Sequence, residues 1–342
     1  MSTRDTDLAN QAPAERVARV REIMVEAGAE ALLATDHATV HWLLGQETAP
    51  GVSALVTRER VVGIGGPARE DRPESALDRI PAHAPVAVET SALPTTLRPL
   101  LSGRPLLDAS TRLASLRLVH DEADLRGIRA AARFASRGQQ LLRGHLEPGI
   151  AEDELFAWLD SRLRADGAAT TAIVDLMFGP RCASIGLPPS GRRLAPADTV
   201  IFDFAPLLGG LWADSCSTSV VGAVRPEVRR AHDCARRALD VGIAMARPGV
   251  VVGALDRAVR TVLTDAGYPE CPHMIGHGIG YKQQDYPLFD PRSEAVLAAG
   301  AVVAIEPGMY LDDFGVRVEH LMLVEEHGAT LLTDHDLALT PS

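Results

Sequence analysis

Four carboxylates interrupt apolar, strand-like stretches of this sequence. They stand in VIFDFA, LWADS, VVAIEPGMY and VRVEHLMLV, and they are Asp203, Asp214, Glu306 and Glu319. Burying a carboxylate that has no partner costs several kcal/mol, even after the surroundings relax. One such acid is usually explained by a strand end or an ion pair, but four of them indicate that the acids belong to a common functional site.

The spacing of these acids groups them into two pairs. Asp203 and Asp214 would lie opposite each other in an antiparallel hairpin that turns at Leu208–Gly209. Glu306 and Glu319 would lie opposite each other in a second hairpin, whose turn is midway between them. Opposite residues share a face, with Cβ atoms about 5 Å apart. Like charges held so close repel each other unless cations lie between them.

A histidine completes the set of candidate ligands. His277 stands between Gly276 and Gly278 in HMIGHGIGYKQQDYP, and glycines on both sides let a backbone pass close to a neighbour. Alone, it would be read as a packing or turn residue; beside four inward acids it is the natural nitrogen donor. Four carboxylates carry a charge of −4, which two divalent cations balance. Oxygen-rich ligation with one nitrogen suits Mn, Co, Fe or Zn.

The chemistry expected of such a centre is hydrolysis of an acyl or related C–N bond. Two metals about 3.5–4 Å apart that share carboxylates and a water generate a hydroxide nucleophile. Cys216 and Cys271 are alternative thiolate ligands, but five hard ligands already complete the site. We therefore interpret both cysteines as small core residues.

Composition excludes several other classes of protein. The chain has 342 residues and a formal net charge of −11, with Lys and Arg scattered, so a basic face for nucleic acid is not expected. The four cysteines form no CxxC pair and no disulfide-rich pattern. No apolar run approaches the ~18 residues of a membrane span, and the first residues are polar. We expect a cytoplasmic protein that binds neither nucleic acid nor membrane.

The elements that must position these residues fall into two predicted domains. Residues 14–27 carry apolar positions at helical spacing, and short apolar runs follow that alternate with polar or proline-rich stretches. This texture is typical of an α/β domain, and we place it at residues 1–120.

The second predicted domain covers residues 121–342 and contains all five candidate ligands. It opens with a long helix expected to end at Gly149 and a second helix expected to end at Gly167. Strand-like runs follow, then helices over 225–246 and 253–266, and strands return at the end. The domain is therefore predicted to be α+β.

The motifs DFAPLLGGLWAD, GHGIG, IEPGMY and GVRVE, in this order, resemble the signature of the M24 metallopeptidases. That family, with its pita-bread fold, includes Xaa-Pro aminopeptidase, prolidase, methionine aminopeptidase and creatinase. The resemblance spans about residues 120–330. LLATDHATVHWLLGQ resembles the N-terminal domain of the Xaa-Pro and creatinase branch. Together, the two resemblances imply a C-terminal pita-bread domain, a smaller creatinase-like N-terminal domain, and a homodimer.

The resemblance also implies a role for each candidate ligand. Asp203 would bind one metal and His277 the other, while Asp214 and Glu319 would bridge both. Glu306 would be a ligand and also the acid/base that moves the proton of the bridging water.

Two further residues acquire roles from the same resemblance. His273 would lie near the scissile group, and Arg317, in GVRVE, would pair with the acids. Creatinase lacks the metal ligands, whereas this chain keeps all five. A metal-free mechanism is therefore disfavoured.

The substrate side departs from the family pattern. Xaa-Pro peptidases have a histidine seven residues after the metal histidine, followed by an acid; here Gln284 and Asp285 occupy those places and are the predicted substrate contacts. A second family histidine, about 17 residues before the first aspartate, is replaced by Gly186. These histidines steady the substrate carbonyl and the tetrahedral intermediate. Loss of one such donor typically lowers the rate by about two to three powers of ten.

Three functions stay open on the sequence alone. The first is a dinuclear hydrolase of the Xaa-Pro peptidase type, which cleaves a peptide or peptide-like C–N bond with a metal-bridging hydroxide. The second keeps the metals but is a non-peptidase amidohydrolase or lyase that acts on a small metabolite. The third is a non-catalytic binding module, which the complete ligand set disfavours.

Overall fold

The chain folds into two compact units, Met1–Arg117 and Leu118–Ser342, in a computed structural model. The division lies close to the boundary expected after residue 120. None of the helices in the described part of the chain is long and apolar enough to cross a membrane. The residues whose structure is described are 14–45, 47–65, 76–78 and 80–340.

The first unit is built on a five-stranded mixed sheet. Its strand order is β3-β2-β1-β4-β5, with β1–β4 and β4–β5 parallel and the other two pairs antiparallel. The strands are β1 (Ala31–Ala34), β2 (Ser53–Thr57), β3 (Val61–Ile64), β4 (Val86–Val88) and β5 (Leu106–Asp108). The helices are Ala14–Ala27, His37–Leu44 and Ser110–Arg117.

The helices of the first unit follow local sequence signals. Ala14–Ala27 has the bounds that its apolar spacing predicts. His37–Leu44 begins after Asp36, whose carboxylate accepts the Ala38 N–H, and it ends at Gly45 in the left-handed conformation. These helices bury apolar side chains such as Val20, Leu43 and Leu113, and the strands contribute to an apolar cluster around Leu33, Leu55 and Val86. This agrees with the predicted α/β domain.

The second unit contains two larger sheets and a ribbon. One sheet has the order β6-β7-β8, with β9 also paired to β7; the other has the order β11-β10-β12-β15-β16; and β13 pairs with β14. The strands are β6 (Thr170–Phe178), β7 (Thr199–Leu208), β8 (Leu211–Trp212), β9 (Cys216–Val220), β10 (Gly276–Gly278), β11 (Asp285–Leu288), β12 (Val302–Ile305), β13 (Gly308–Tyr310), β14 (Gly315–Arg317), β15 (His320–Glu325) and β16 (Gly328–Leu331).

Each of these sheets is backed by a pair of helices. Glu122–Arg143 and Glu152–Ala165 pack on the β6–β7 side, and Pro226–Met245 packs against β12, β13, β14 and β16, with Val252–Asp265 beside it. The apolar faces of these helices fill two separate cores. The unit is therefore α+β, with two helix-backed sheets that can present residues toward one another.

One predicted helix boundary is wrong. The long helix ends at Arg143 and is capped by Gly144, not by Gly149. Pro148 disfavours a helical conformation at Glu147, so the chain leaves the helix before that residue. Gly149 instead adopts a left-handed conformation in the turn before the next helix.

Candidate metal centre

The two glutamates lie opposite each other, as their spacing predicts. Ile305 pairs with His320 on one side of them and Gly308 pairs with Arg317 on the other, in one continuous register. That register places Glu306 opposite Glu319 at the junction between the β12–β15 and β13–β14 pairs.

The predicted pairing of the two aspartates is wrong. The hairpin closes at Gly209–Gly210, one residue later than expected, so Asp203 pairs with Cys216 across β7 and β9. Asp214 lies in the irregular link between β8 and β9, where Ser215 N–H donates to its Oδ1 at 2.9 Å. The two glycines supply the positive φ angles that the turn requires, and this shifts the register.

Backbone hydrogen bonds join the segments that carry the candidate ligands. Glu306 N–H donates to Ile275 O at 2.7 Å, next to the strand that holds His277. Glu319 N–H donates to Cys216 O at 3.0 Å, in the strand that follows Asp214. These two bonds fix Glu306 close to the strand of His277 and Glu319 close to the segment of Asp214.

The glycines on both sides of His277 are required by neighbouring backbone. A Cβ atom at Gly276 would lie 2.2 Å from Ala304 O, and one at Gly278 would lie 2.2 Å from Tyr286 O. Only glycine fits at either position without movement of an adjacent strand. The GHG motif therefore lets β10 pack tightly between β11 and β12.

His277 presents an unprotonated nitrogen to the acids. Its Nδ1 lies 2.9 Å from Gly278 O and donates to it, which leaves the Nε2 lone pair free. Nε2 lies 3.8 Å from Asp214 Oδ2 and 3.6 Å from Glu306 Oε1. Burial lowers the pKa of His277 to about 4, so the ring is neutral at pH 7, as a metal ligand must be.

The acids fit a divalent cation on three observations. Donor atoms of Asp214, His277 and Glu319 all lie within 4.8 Å of one another. Both carboxylate oxygens of Glu319 and the Oδ1 atom of Asp203 are buried without a hydrogen-bond partner among the described residues. Burial is also the main cause that raises the pKa of Asp203 to about 6 and of Glu306 to about 8. A bound cation would relieve each of these costs.

Arg317 is buried beside the acids and pairs with two carboxylates, those of Asp203 and Asp175. Its Nη2 atom lies 2.7 Å from Asp203 Oδ2 and 2.5 Å from Asp175 Oδ2. Its Nε donates to Cys216 Sγ at 3.3 Å. The predicted proximity of Arg317 to the acids agrees with this geometry. Asp175 was not predicted, although it too interrupts an apolar strand, TAIVDLMFG.

His273 is close to Glu306 but is occupied by other partners. Its Nδ1 donates to Met274 O at 2.7 Å, and its Nε2 accepts the Tyr310 hydroxyl at 2.8 Å. Arg317 Nη1 donates to the same Tyr310 hydroxyl at 3.0 Å. Burial lowers the pKa of His273 to about 3, so the ring orients Tyr310 rather than carrying a proton near neutral pH.

The three predicted substrate-side positions differ in exposure. Gln284 is exposed in the loop before β11, whereas Asp285 is buried and accepts the Tyr286 N–H at 2.8 Å. Gly186 is exposed, has φ of 69°, and would leave open space around a Cβ atom. Its N–H donates to Asp175 Oδ1 at 2.7 Å, which ties this loop to the acids.

Comparisons with known proteins agree with this arrangement. Residues 126–326 match the sequence model of metallopeptidase family M24. The chain is 30% identical over 284 residues to "Probable dipeptidase PepE" of Mycobacterium tuberculosis, covering 79% of this chain and 75% of the relative. For several other bacterial relatives, the aligned region spans about two thirds of their length.

Solved structures show the same fold. The crystal structure of dipeptidase PepE from Mycobacterium ulcerans superposes with a TM-score of 0.86 at 26% identity, over 96% of this chain and 97% of that one. The prolidase from Pyrococcus horikoshii OT3 superposes with a TM-score of 0.88 at 23% identity, over 95% of this chain and 99% of that one. The predicted fold class, an α+β pita-bread domain that follows a smaller N-terminal α/β domain in the sequence, is confirmed.

Proposed function

Because the chain belongs to metallopeptidase family M24 and is a metallohydrolase, we propose that it is a dipeptidase of the prolidase type that acts on short peptides. The observation that carries this proposal is the convergence of His277 Nε2 with buried, unpartnered carboxylate oxygens. The clustered carboxylates repel one another, and the positively charged side chains described beside them are too few to balance their charge. Such a cluster is the expected environment of a multivalent cation.

The proposed metal ligands are the five residues that the sequence singles out. Two divalent cations held there, Mn, Co, Fe or Zn, would polarise a substrate carbonyl and activate a water. The ligand set contains four carboxylates and one imidazole and no thiolate, which matches these metals. The proposed ligands are Asp203, Asp214, His277, Glu306 and Glu319.

Glu306 is the proposed acid/base of the reaction. Its two oxygens lie between His277 Nε2, at 3.6 Å from Oε1, and His273 Nδ1, at 3.8 Å from Oε2. Burial raises its pKa to about 8 when no cation is bound. A carboxylate placed beside the water that the cations activate can accept its proton. It can hold the proton until the leaving amine requires it.

A second candidate function uses the same centre on a different small molecule. Gly186 and Gln284 replace two histidines that the family resemblance expects, and Gln284 cannot carry a proton. Gly186 also has a left-handed backbone, which residues with a side chain rarely adopt. These changes favour a non-peptidase amidohydrolase or lyase that acts on a small metabolite, with Gln284 and Asp285 as proposed substrate contacts.

A substrate screen separates the two candidates. Metal-loaded protein would be incubated with Xaa-Pro dipeptides, other dipeptides, longer peptides, and amidine, lactam and sulfonium compounds. Efficient hydrolysis of dipeptides supports the dipeptidase. Turnover confined to the non-peptide compounds would replace it with the second function.

We also propose that the protein is cytoplasmic and forms a homodimer. All four cysteines are buried free thiols, which suits a reducing cytoplasm. A homodimer follows from the family resemblance, and light scattering on the purified full chain would measure it.

A further inference from the structure

A fifth buried carboxylate stands beside the candidate metal centre, in strand β6. Asp175 is 1% exposed and lies directly opposite Asp203 in the β6–β7 pair. The register shifts between Ile173 and Asp175, so that Val174 forms a bulge. Bulges re-aim side chains and are common next to active sites. This one places Asp175 on the same face as the ligand Asp203.

A guanidinium separates these two like charges. Arg317 is 2% exposed, and its Nη2 atom lies within 2.7 Å of one carboxylate oxygen of both Asp175 and Asp203. The other oxygen of Asp175 accepts the Gly186 N–H at 2.7 Å. Asp175 is therefore fixed at both oxygens, with its negative charge directed at the arginine.

The charge balance of the centre depends on this residue. The four ligand acids carry four negative charges, and the buried Arg317 alone would cancel one of them. Asp175 supplies the negative charge that cancels the guanidinium instead. The four ligands then keep a net charge of −4, which is the charge that two divalent cations neutralise.

We propose that Asp175 is a positioning residue that neutralises Arg317 and so preserves the full negative charge of the metal ligands for two divalent cations. This inference rests on the proposed function. A role limited to fold stability would instead consist of holding Gly186 and its loop. The two roles differ in one respect: only charge neutralisation is restored when the arginine charge is removed as well.

The test is a calorimetric titration of the metal-free full chain with Mn²⁺ at fixed ionic strength. The wild type is compared with Asp175→Asn and with the double variant Asp175→Asn/Arg317→Gln. A unit charge within about 10 Å of a divalent cation changes its affinity by more than ten-fold at an effective dielectric constant of about 20. We expect Asp175→Asn to weaken Mn²⁺ binding at least ten-fold, and the double variant to recover to within about three-fold of the wild type.

Two results would overturn the inference: Mn²⁺ affinity unchanged in Asp175→Asn, or a double variant that binds no better than this single variant. If Asp175→Asn does not fold, Arg317→Gln is compared with the double variant. The inference then requires weaker Mn²⁺ binding in the double variant, which lacks one more carboxylate, and equal binding would contradict it.

A matched control comes from the other compact unit. Glu89 is also a buried carboxylate beside an arginine, with its Oε1 atom 4.0 Å from Arg117 Nη1. Glu89→Gln should lower the melting temperature and leave Mn²⁺ affinity unchanged. Equal weakening in Glu89→Gln and Asp175→Asn would reduce the effect to general destabilisation and refute the inference. A wild type that binds no Mn²⁺ would instead refute the proposed metal centre.

Discussion

Each carboxylate of the candidate metal centre is buried, and each ligand oxygen has few partners within the protein. Glu319 is the extreme case, because neither of its oxygens has a hydrogen-bond partner among the described residues. Glu152, another buried acid, differs: it accepts hydrogen bonds from Phe178 N–H, Arg181 and Ser190. Glu152 is therefore a satisfied structural acid, whereas Glu319 has neither oxygen satisfied.

Glu306→Gln is the single substitution that most directly tests the proposed acid/base role of Glu306. It keeps the size of the side chain but removes the group that takes up and releases the proton. General acid–base groups contribute about 10²–10⁴-fold to a rate. We expect kcat of the metal-loaded enzyme to fall by that factor, measured in steady state on the best substrate of the screen.

The matched control is Glu325→Gln, at an exposed residue of β15 whose carboxylate accepts the Thr330 hydroxyl. This variant should keep the wild-type rate. Wild-type turnover in Glu306→Gln would remove Glu306 from the proton transfer.

At the scale of elements, the sequence predicts the glutamate pair well and the aspartate pair poorly. Glu306 and Glu319 lie just outside the strands, at the junction where the register of the β12–β15 pair carries over to the β13–β14 pair. The turn between Asp203 and Asp214 contains two glycines, and either could have begun it. Two-residue turns of such glycines differ little in local energy, so the surrounding sheet decides the register.

Asp175 shows a second limit of prediction from sequence. It carries the same signal as the four proposed ligand acids, an acid within an apolar strand. Its role depends on a bulge and on an arginine 142 positions away in the chain. The bulge and this long-range contact leave no local pattern, so only the structure reveals the ion pair.

The strand that carries His277 should tolerate no side chain at its second glycine. Gly278→Ala places a Cβ atom 2.2 Å from Tyr286 O, and the two strands must separate. Overpacking of this kind typically costs about 1–3 kcal/mol. We expect a lower free energy of unfolding in denaturant titration and weaker Mn²⁺ binding, because His277 moves with the strand.

Gly191→Ala is the matched control, since a Cβ atom there meets open space on an exposed segment. Its stability and Mn²⁺ affinity should equal those of the wild type. If Gly278→Ala were equally harmless, the close strand packing would not hold His277 in place.

For the whole molecule, the buried acids link stability to pH when no metal is bound. The pKa of Glu306 is raised to about 8, and burial and mutual repulsion hold those of Asp214 and Glu319 well above the ordinary range. In the unfolded chain these acids lose their protons near pH 4. Above pH 7 the folded state therefore binds more protons than the unfolded state, and stability falls as pH rises.

Below that range the buried histidines act in the opposite direction. Burial lowers the pKa of His232 and His335 to about 4 and of His320 to about 3. Their unfolded forms take up protons near pH 6.5, so acidification destabilises the fold. The acids and histidines oppose each other between about pH 4 and 6.5, and the acids act alone above pH 7.

We therefore expect metal-free protein, prepared with a chelator, to lose stability between pH 7 and 9. The loss amounts to about 1.4 kcal/mol per pH unit for each extra proton that the folded state binds. Thermal melting across this range measures it. Added Mn²⁺ should flatten the profile, because the cation replaces the protons; a flat profile without metal would contradict the buried ionic cluster.

The central claim is that five residues from distant parts of the chain hold two divalent cations. Metal analysis of the full chain by mass spectrometry, in parallel with His277→Ala, tests it most directly. The account predicts about two Mn, Co, Fe or Zn ions per wild-type chain and a clear loss of bound metal in the variant. A wild-type protein that holds no divalent metal, even after incubation with these ions, would contradict the account.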